Sequence, residues 1–146
     1  MSESIEIRQV GEKEFWIGKN KASLIEKNII YVIAVGEVTT ELAIAQIEVH
    51  NKLEALVDGP VNYLIDLNDA GKSSTEARKI WEQISADEKT NKVAIFGLHP
   101  VARMVASFVM GISGKSNQRF LKTKEEALRW LREGSNINLI NYGNED

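Results

Sequence analysis

Ser73, Ser74 and Thr75 stand in a row between an apolar run and a helical one, with Lys72 in front and Glu76 and Arg78 behind. Hydroxyls at such a junction have two uses. Ser73 with Glu76 three residues later fits a capping box, in which hydroxyl and carboxylate satisfy backbone donors left over at a helix start. The position also welcomes negative charge, because free N–H groups and the helix macrodipole meet there. A phosphoryl group on Ser73 would bring roughly two negative charges and three acceptor oxygens. Lys72 and Arg78 are near enough in sequence to pair with it. An anionic ligand would suit the same place, so Ser73, Ser74 and Lys72 form a candidate phosphorylation or anion site. Thr123 with Glu126 repeats the spacing and reads as an ordinary cap.

Other combinations fall short of chemistry. Ala70-Gly71-Lys72-Ser73 lies between strand and helix as a phosphate-binding loop would, but Asp66 stands where the first glycine of that motif belongs. Gly114-Lys115-Ser116 fails likewise, with Val109 at the glycine position. His50 and His99 belong to no metal-ligand spacing, and satisfied structural roles are expected for both. Ser73, His99 and Asp66 or Asp69 are the residue types of a nucleophilic triad, but no G-x-S-x-G elbow accompanies them. The chain has no cysteine, hence no thiolate. No catalytic set, cofactor or metal site is expected.

The elements that hold these residues follow from periodicity. Residues 13–18 and 29–35 are short β-branched and aromatic runs, with a turn and a second short strand between them, and predict an opening hairpin or meander. Leu42, Ala45, Val49, Leu53 and Leu56 fall on one face of a helix over 39–57, ended by Asp58-Gly59-Pro60. Residues 61–67 read as a strand covered on both sides, followed by a loop over 68–72, where α/β sheets usually carry their sites. Asn68 and Asp69 are thereby candidate partner- or ligand-facing residues. A helix over 74–86 buries Ala77, Ile80, Trp81 and Ile84, and 92–96 is a further strand. Pro100 opens a third helix over 101–112; 119–121 is a short strand, and 123–133 a last helix. Strands alternating with helices predict an α/β fold with a mixed, mostly parallel sheet and about four flanking helices. The Asn-rich tail, 134–146, reads as loop or weak edge strand. Core packing accounts for Trp16, Trp81 and Trp130.

The third helix is unusual. In residues 101–114 Arg103 is the only charge, and beyond one apolar face Ala102, Ala106 and Met110 line the other side. A helix apolar all round must be covered. Burial in the domain, a protein-partner surface, a homodimer seam and the wall of a lipid-sized cavity are the alternatives.

Composition bounds all of this. With 146 residues, 18 Lys plus Arg against 21 Asp plus Glu, and 43% apolar residues, the chain is long enough for one domain with a real core. The interleaved charges and a pI near 5.5 offer no cationic field for nucleic acid. The start, MSESIEIRQV, lacks the basic and apolar regions of an export signal, and no uncharged stretch approaches the roughly 18 residues of a membrane span. A cytoplasmic location is expected.

Three stretches together resemble the SpoIIAA-like proteins of the STAS fold: NYLIDLNDAGKSSTEARKIW, KVAIFGLHPVARMVASFVMGISG and FLKTKEEALRWL. The likeness runs from about Glu14 to Arg132. It implies a regulatory or ligand-binding domain without catalysis. In anti-sigma-factor antagonists of this group a serine in a D-S-S-G motif at the start of the second helix is phosphorylated, which turns partner binding off. The matching positions here read Lys72-Ser73-Ser74-Thr75, so Ser73 keeps the hydroxyl while the flanking Asp and Gly are lost. The group also resembles CRAL-TRIO lipid carriers in layout, which implies, as an alternative, a carrier or sensor of a small apolar ligand.

Overall fold

A computed structural model describes residues 5–98 and 117–133. The third helix expected over 101–112, with Ala102, Ala106 and Met110, lies outside the described residues, as do His99 and the tail.

The described residues form one seven-stranded sheet whose spatial order repeats the chain order. Strands β1 (Ile7–Gly11), β2 (Glu14–Ile17), β3 (Asn20–Ile25) and β4 (Ile29–Val38) make an antiparallel meander. Helix α1 (Thr40–Glu54) then returns the chain to β5 (Val61–Ser73), parallel to β4. Helix α2 (Thr75–Ala86) leads to β6 (Thr90–Phe96), also parallel, and β7 (Gln118–Leu121) extends the parallel half. A third helix, α3, covers 124–133. The sheet is mixed, as expected, but its pairings among the described strands are evenly divided, three antiparallel and three parallel, rather than mostly parallel. The opening meander has four strands, because β3 pairs fully with both neighbours and β1 joins an exposed edge where little apolar periodicity is needed.

The two faces follow from strand alternation. Crossovers that step in one direction across a sheet with one handedness place their helices on one face. Helices α1 and α2 accordingly share a face and touch each other. Leu42, Val49 and Leu53 of α1 and Ala77 of α2 pack there on Phe15, Ile17, Ile30, Val32, Tyr63 and Ile65. Intervening residues point the other way: Ile29, Leu64, Ala94 and Phe96 meet Ala127 and Leu131 of α3. Residues 61–65 are buried on both sides, as their unbroken apolar run implies. Leu56, expected on the helix face, is instead 47% exposed, because α1 has ended two residues earlier. Lys89 Nζ closes that end, donating to the carbonyls of Glu54 at 2.9 Å and Val57 at 3.1 Å. Trp81 and Trp130 are half-buried against the two cores, whereas Trp16 points away from Phe15 and Ile17 and lies under Lys21, 5.7 Å from its ring.

Candidate functional site

The segment expected to be a loop, 68–72, is strand. β5 keeps pairing with β4 through Val35↔Asp69, Gly36↔Ala70 and Val38↔Ser73, beyond the last pair with β6 at Asp66↔Phe96. Two register shifts accommodate the extension. One lies beside Gly36, whose φ of 78° suits a bulge, with Gly71 packed against its carbonyl. Leu67 to Ser73 thus forms a two-stranded arm with the end of β4. Asn68 and Asp69 are exposed at its root, where Asn68 N and Nδ2 both donate to Asp66 Oδ1, at 2.8 and 2.9 Å. Ser73 lies at the far end, roughly 16 Å along the strand from Asn68.

The arm also moves the helix cap by one residue. Ser73 is still held in the strand pair, so Ser74 is the first residue free to cap. Its Oγ accepts from Ala77 N at 2.9 Å, and its own N–H donates to Val38 O at 3.0 Å. Ser73 is therefore not the cap that its spacing to Glu76 suggests. A second contact, Ser74 Oγ to Thr40 Oγ1 at 3.0 Å, ties the starts of α1 and α2 together. Ser73 and Lys72 are exposed, and the Ser73 hydroxyl makes no hydrogen bond among the described residues. Thr123 behaves as expected: its Oγ1 accepts from Glu126 N at 3.1 Å.

Ser73 borders a cavity of about 650 Å³ between the sheet and α2, which Arg78 borders too. The arm and the first turn of α2 bring these two residues to one rim. The cavity walls are apolar, with Val32, Ile65, Val93, Trp81 and Phe120 among them. Among its polar lining residues Ser85 and Gln118 bond each other, whereas Gln46 of α1, a residue that the helical pattern alone did not single out, has an amide oxygen with no partner among the described residues.

Gln46 and His50 are one turn apart on α1 and are 1% and 2% exposed. Neither Gln46 Oε1 nor either His50 nitrogen has a hydrogen-bond partner among the described residues. Each such atom costs about 1–3 kcal/mol. Among the described residues His50 thus lacks the satisfied role expected for it; it packs against Tyr63 and Trp81, with ring centroids 5.3 Å from each. Burial pushes its pKa down to about 3, which keeps the ring neutral. Beyond it Tyr63 donates its hydroxyl to Glu54, and burial together with that bond raises the phenol's pKa. A polar line, Gln46, His50 and Glu54, thus runs down the covered side of α1. The signal was present in the sequence as three polar residues at four-residue spacing beside the apolar stripe.

No group of three or more potential metal ligands is found among the described residues. No helix among them is long and apolar enough to cross a membrane.

The family described as a domain of unknown function (DUF7793) matches residues 23–135. Two solved structures share the fold. One is an uncharacterised protein of the DUF3478 family with a SpoIIAA-like fold from Shewanella loihica PV-4, 19% identical, aligned over 90% of this chain and 98% of that one, with a TM-score of 0.56. The other is the anti-sigma factor antagonist SpoIIAA in its unphosphorylated form, 12% identical, aligned over 77% of this chain and 97% of that one, with a TM-score of 0.53. The fold is therefore SpoIIAA-like. No protein of curated function matches the sequence.

Proposed function

The chain belongs to the DUF7793 family, and we propose that it is a cytoplasmic, non-enzymatic docking module that binds a protein partner through the arm and is switched by phosphorylation at Ser73. The observation that carries this reading is the division of labour between adjacent serines. Ser74 caps α2, while Ser73 is exposed, has a hydroxyl that makes no hydrogen bond among the described residues, and borders the same cavity as Arg78. A phosphoryl group there would sit near a helix start and a guanidinium, two features that stabilise a dianion. It would also change the charge of the surface formed by Asn68, Asp69 and Lys72. One protein of the same fold is an anti-sigma factor antagonist described in an unphosphorylated form, which supports a protein partner by analogy.

Phosphopeptide mapping of the chain isolated from its host tests the switch: phosphate is expected on Ser73 and not on Ser74. In the same cells, Ser73→Asp is expected to lose a partner that Ser73→Ala retains, with both variants melting near the wild type. Equal capture by the two variants would remove the switch. Ser74→Ala provides the structural control and should cost about 1 kcal/mol as a lost cap.

A second reading, binding of a small apolar ligand, draws on the apolar cavity between the sheet and α2.

A further inference from the structure

The polar line on α1 gives the second reading a specific chemistry. Gln46 borders the cavity with an almost fully buried amide whose oxygen meets no donor among the described residues. Nothing in the local packing calls for it, since Leu42, Val49 and Leu53 on the same side of the helix are apolar and buried. A buried amide of this kind is complemented by a group that both donates and accepts. The charges at the cavity constrain the rest. Its ionised lining residues among those described are Arg78 and Glu82, exposed, of opposite sign and one turn apart on α2. They leave no net charge to offset an ionised head taken out of water. The volume, about 650 Å³, is that of a pocket for a small organic molecule.

We propose that the cavity binds a neutral, largely apolar molecule through one hydroxyl or carboxamide head that hydrogen-bonds the Gln46 side-chain amide. Trp81 forms part of the wall beside that head, and the remaining walls receive the hydrocarbon body. This assignment rests on the apolar-ligand reading and narrows it to an uncharged ligand with a fixed polar end.

The test uses the full chain with 1-decanol and decanoate as probes, followed by calorimetry and tryptophan fluorescence. Saturable binding of 1-decanol is expected, with decanoate at least tenfold weaker at neutral pH. Gln46→Leu should weaken 1-decanol by about tenfold, the scale of one net hydrogen bond, while raising the melting temperature because an unpartnered amide has gone. Binding of 1-decanol that is unchanged in Gln46→Leu, or decanoate bound as tightly as the alcohol, overturns the neutral, amide-anchored ligand and leaves the broader reading standing. A lowered melting temperature in Gln46→Leu also overturns it, since the amide would then be serving the fold. If neither probe saturates the wild-type chain, the apolar-ligand reading falls, and this assignment with it.

Discussion

His50 is where solvent acidity acts on the folded chain. Its pKa falls to about 3 from an ordinary value near 6.5 because burial takes the ring out of water. In the unfolded chain the ring takes a proton as pH drops below about 6.5, while in the folded chain it does not until about 3. The unfolded state therefore binds more protons across that window. Stability supplied by the neutral ring is fully present above the window and is lost as pH falls through it, by on the order of 5 kcal/mol at the acid end. Replacing His50 with Phe keeps a ring between Tyr63 and Trp81 and removes the proton. Urea unfolding at pH 7 and pH 4 should show a markedly smaller acid loss for His50→Phe than for the wild type; equal losses would place the acid sensitivity elsewhere. The sequence shows His50 beside an apolar stripe, so its burial was legible. That its nitrogens meet no hydrogen-bond partner among the described residues was not, because Tyr63 and Trp81, which pack against it, come from β5 and α2, distant in the chain. Gln46 was hidden for the same reason: it lies four residues after Leu42, and periodicity marks that face without saying what a polar residue on it meets.

The arm made by β4 and β5 departs furthest from what the local sequence implies. Asn68, Asp69, Ala70 and Gly71 are turn-prone residues, and judged locally they end a strand. The β4 partner decides otherwise, since its own bulge at Gly36 lets the pairing continue to Val38. Regular apolar spacing locates α2 almost to its ends, expected over 74–86 and spanning Thr75–Ala86, whereas α1, expected over 39–57, stops at Glu54. At the root of the arm, Gly97 follows β6 with φ +97°, and a Cβ there would lie 2.6 Å from the Asn68 backbone nitrogen. Gly97→Ala should therefore destabilise the chain by on the order of 3 kcal/mol in denaturant unfolding. At Gly11 nothing lies within 4 Å of an added Cβ, so Gly11→Ala should stay within about 0.5 kcal/mol. Similar costs for both would mean that β6 does not pack against Asn68 as described.

At the scale of the molecule, alternation of strands and helices was enough to predict an α/β layer structure, while the SpoIIAA-like fold was implied by the resemblance of three sequence stretches and not by that alternation. It could not give the balance of parallel and antiparallel pairs, because hairpin strands as short as β1 carry few apolar residues to mark them. The layering orders local stability. β4 and β5 lie mid-sheet, covered by helices on both faces, whereas β1 is an exposed edge. Hydrogen exchange should accordingly be slowest at Ile30, Val32 and Leu64 and faster by orders of magnitude at Arg8 and Val10. Uniform protection across the sheet would contradict this layering.

Because spatial order repeats chain order, none of the described strands has to be threaded between two that are already paired. During synthesis each new strand leaves the ribosome after its neighbour is available, so the sheet can grow by addition at one advancing border, and β4 offers that border before α1 has emerged. A topology of this kind gives a partly made chain little opportunity to pair in the wrong order.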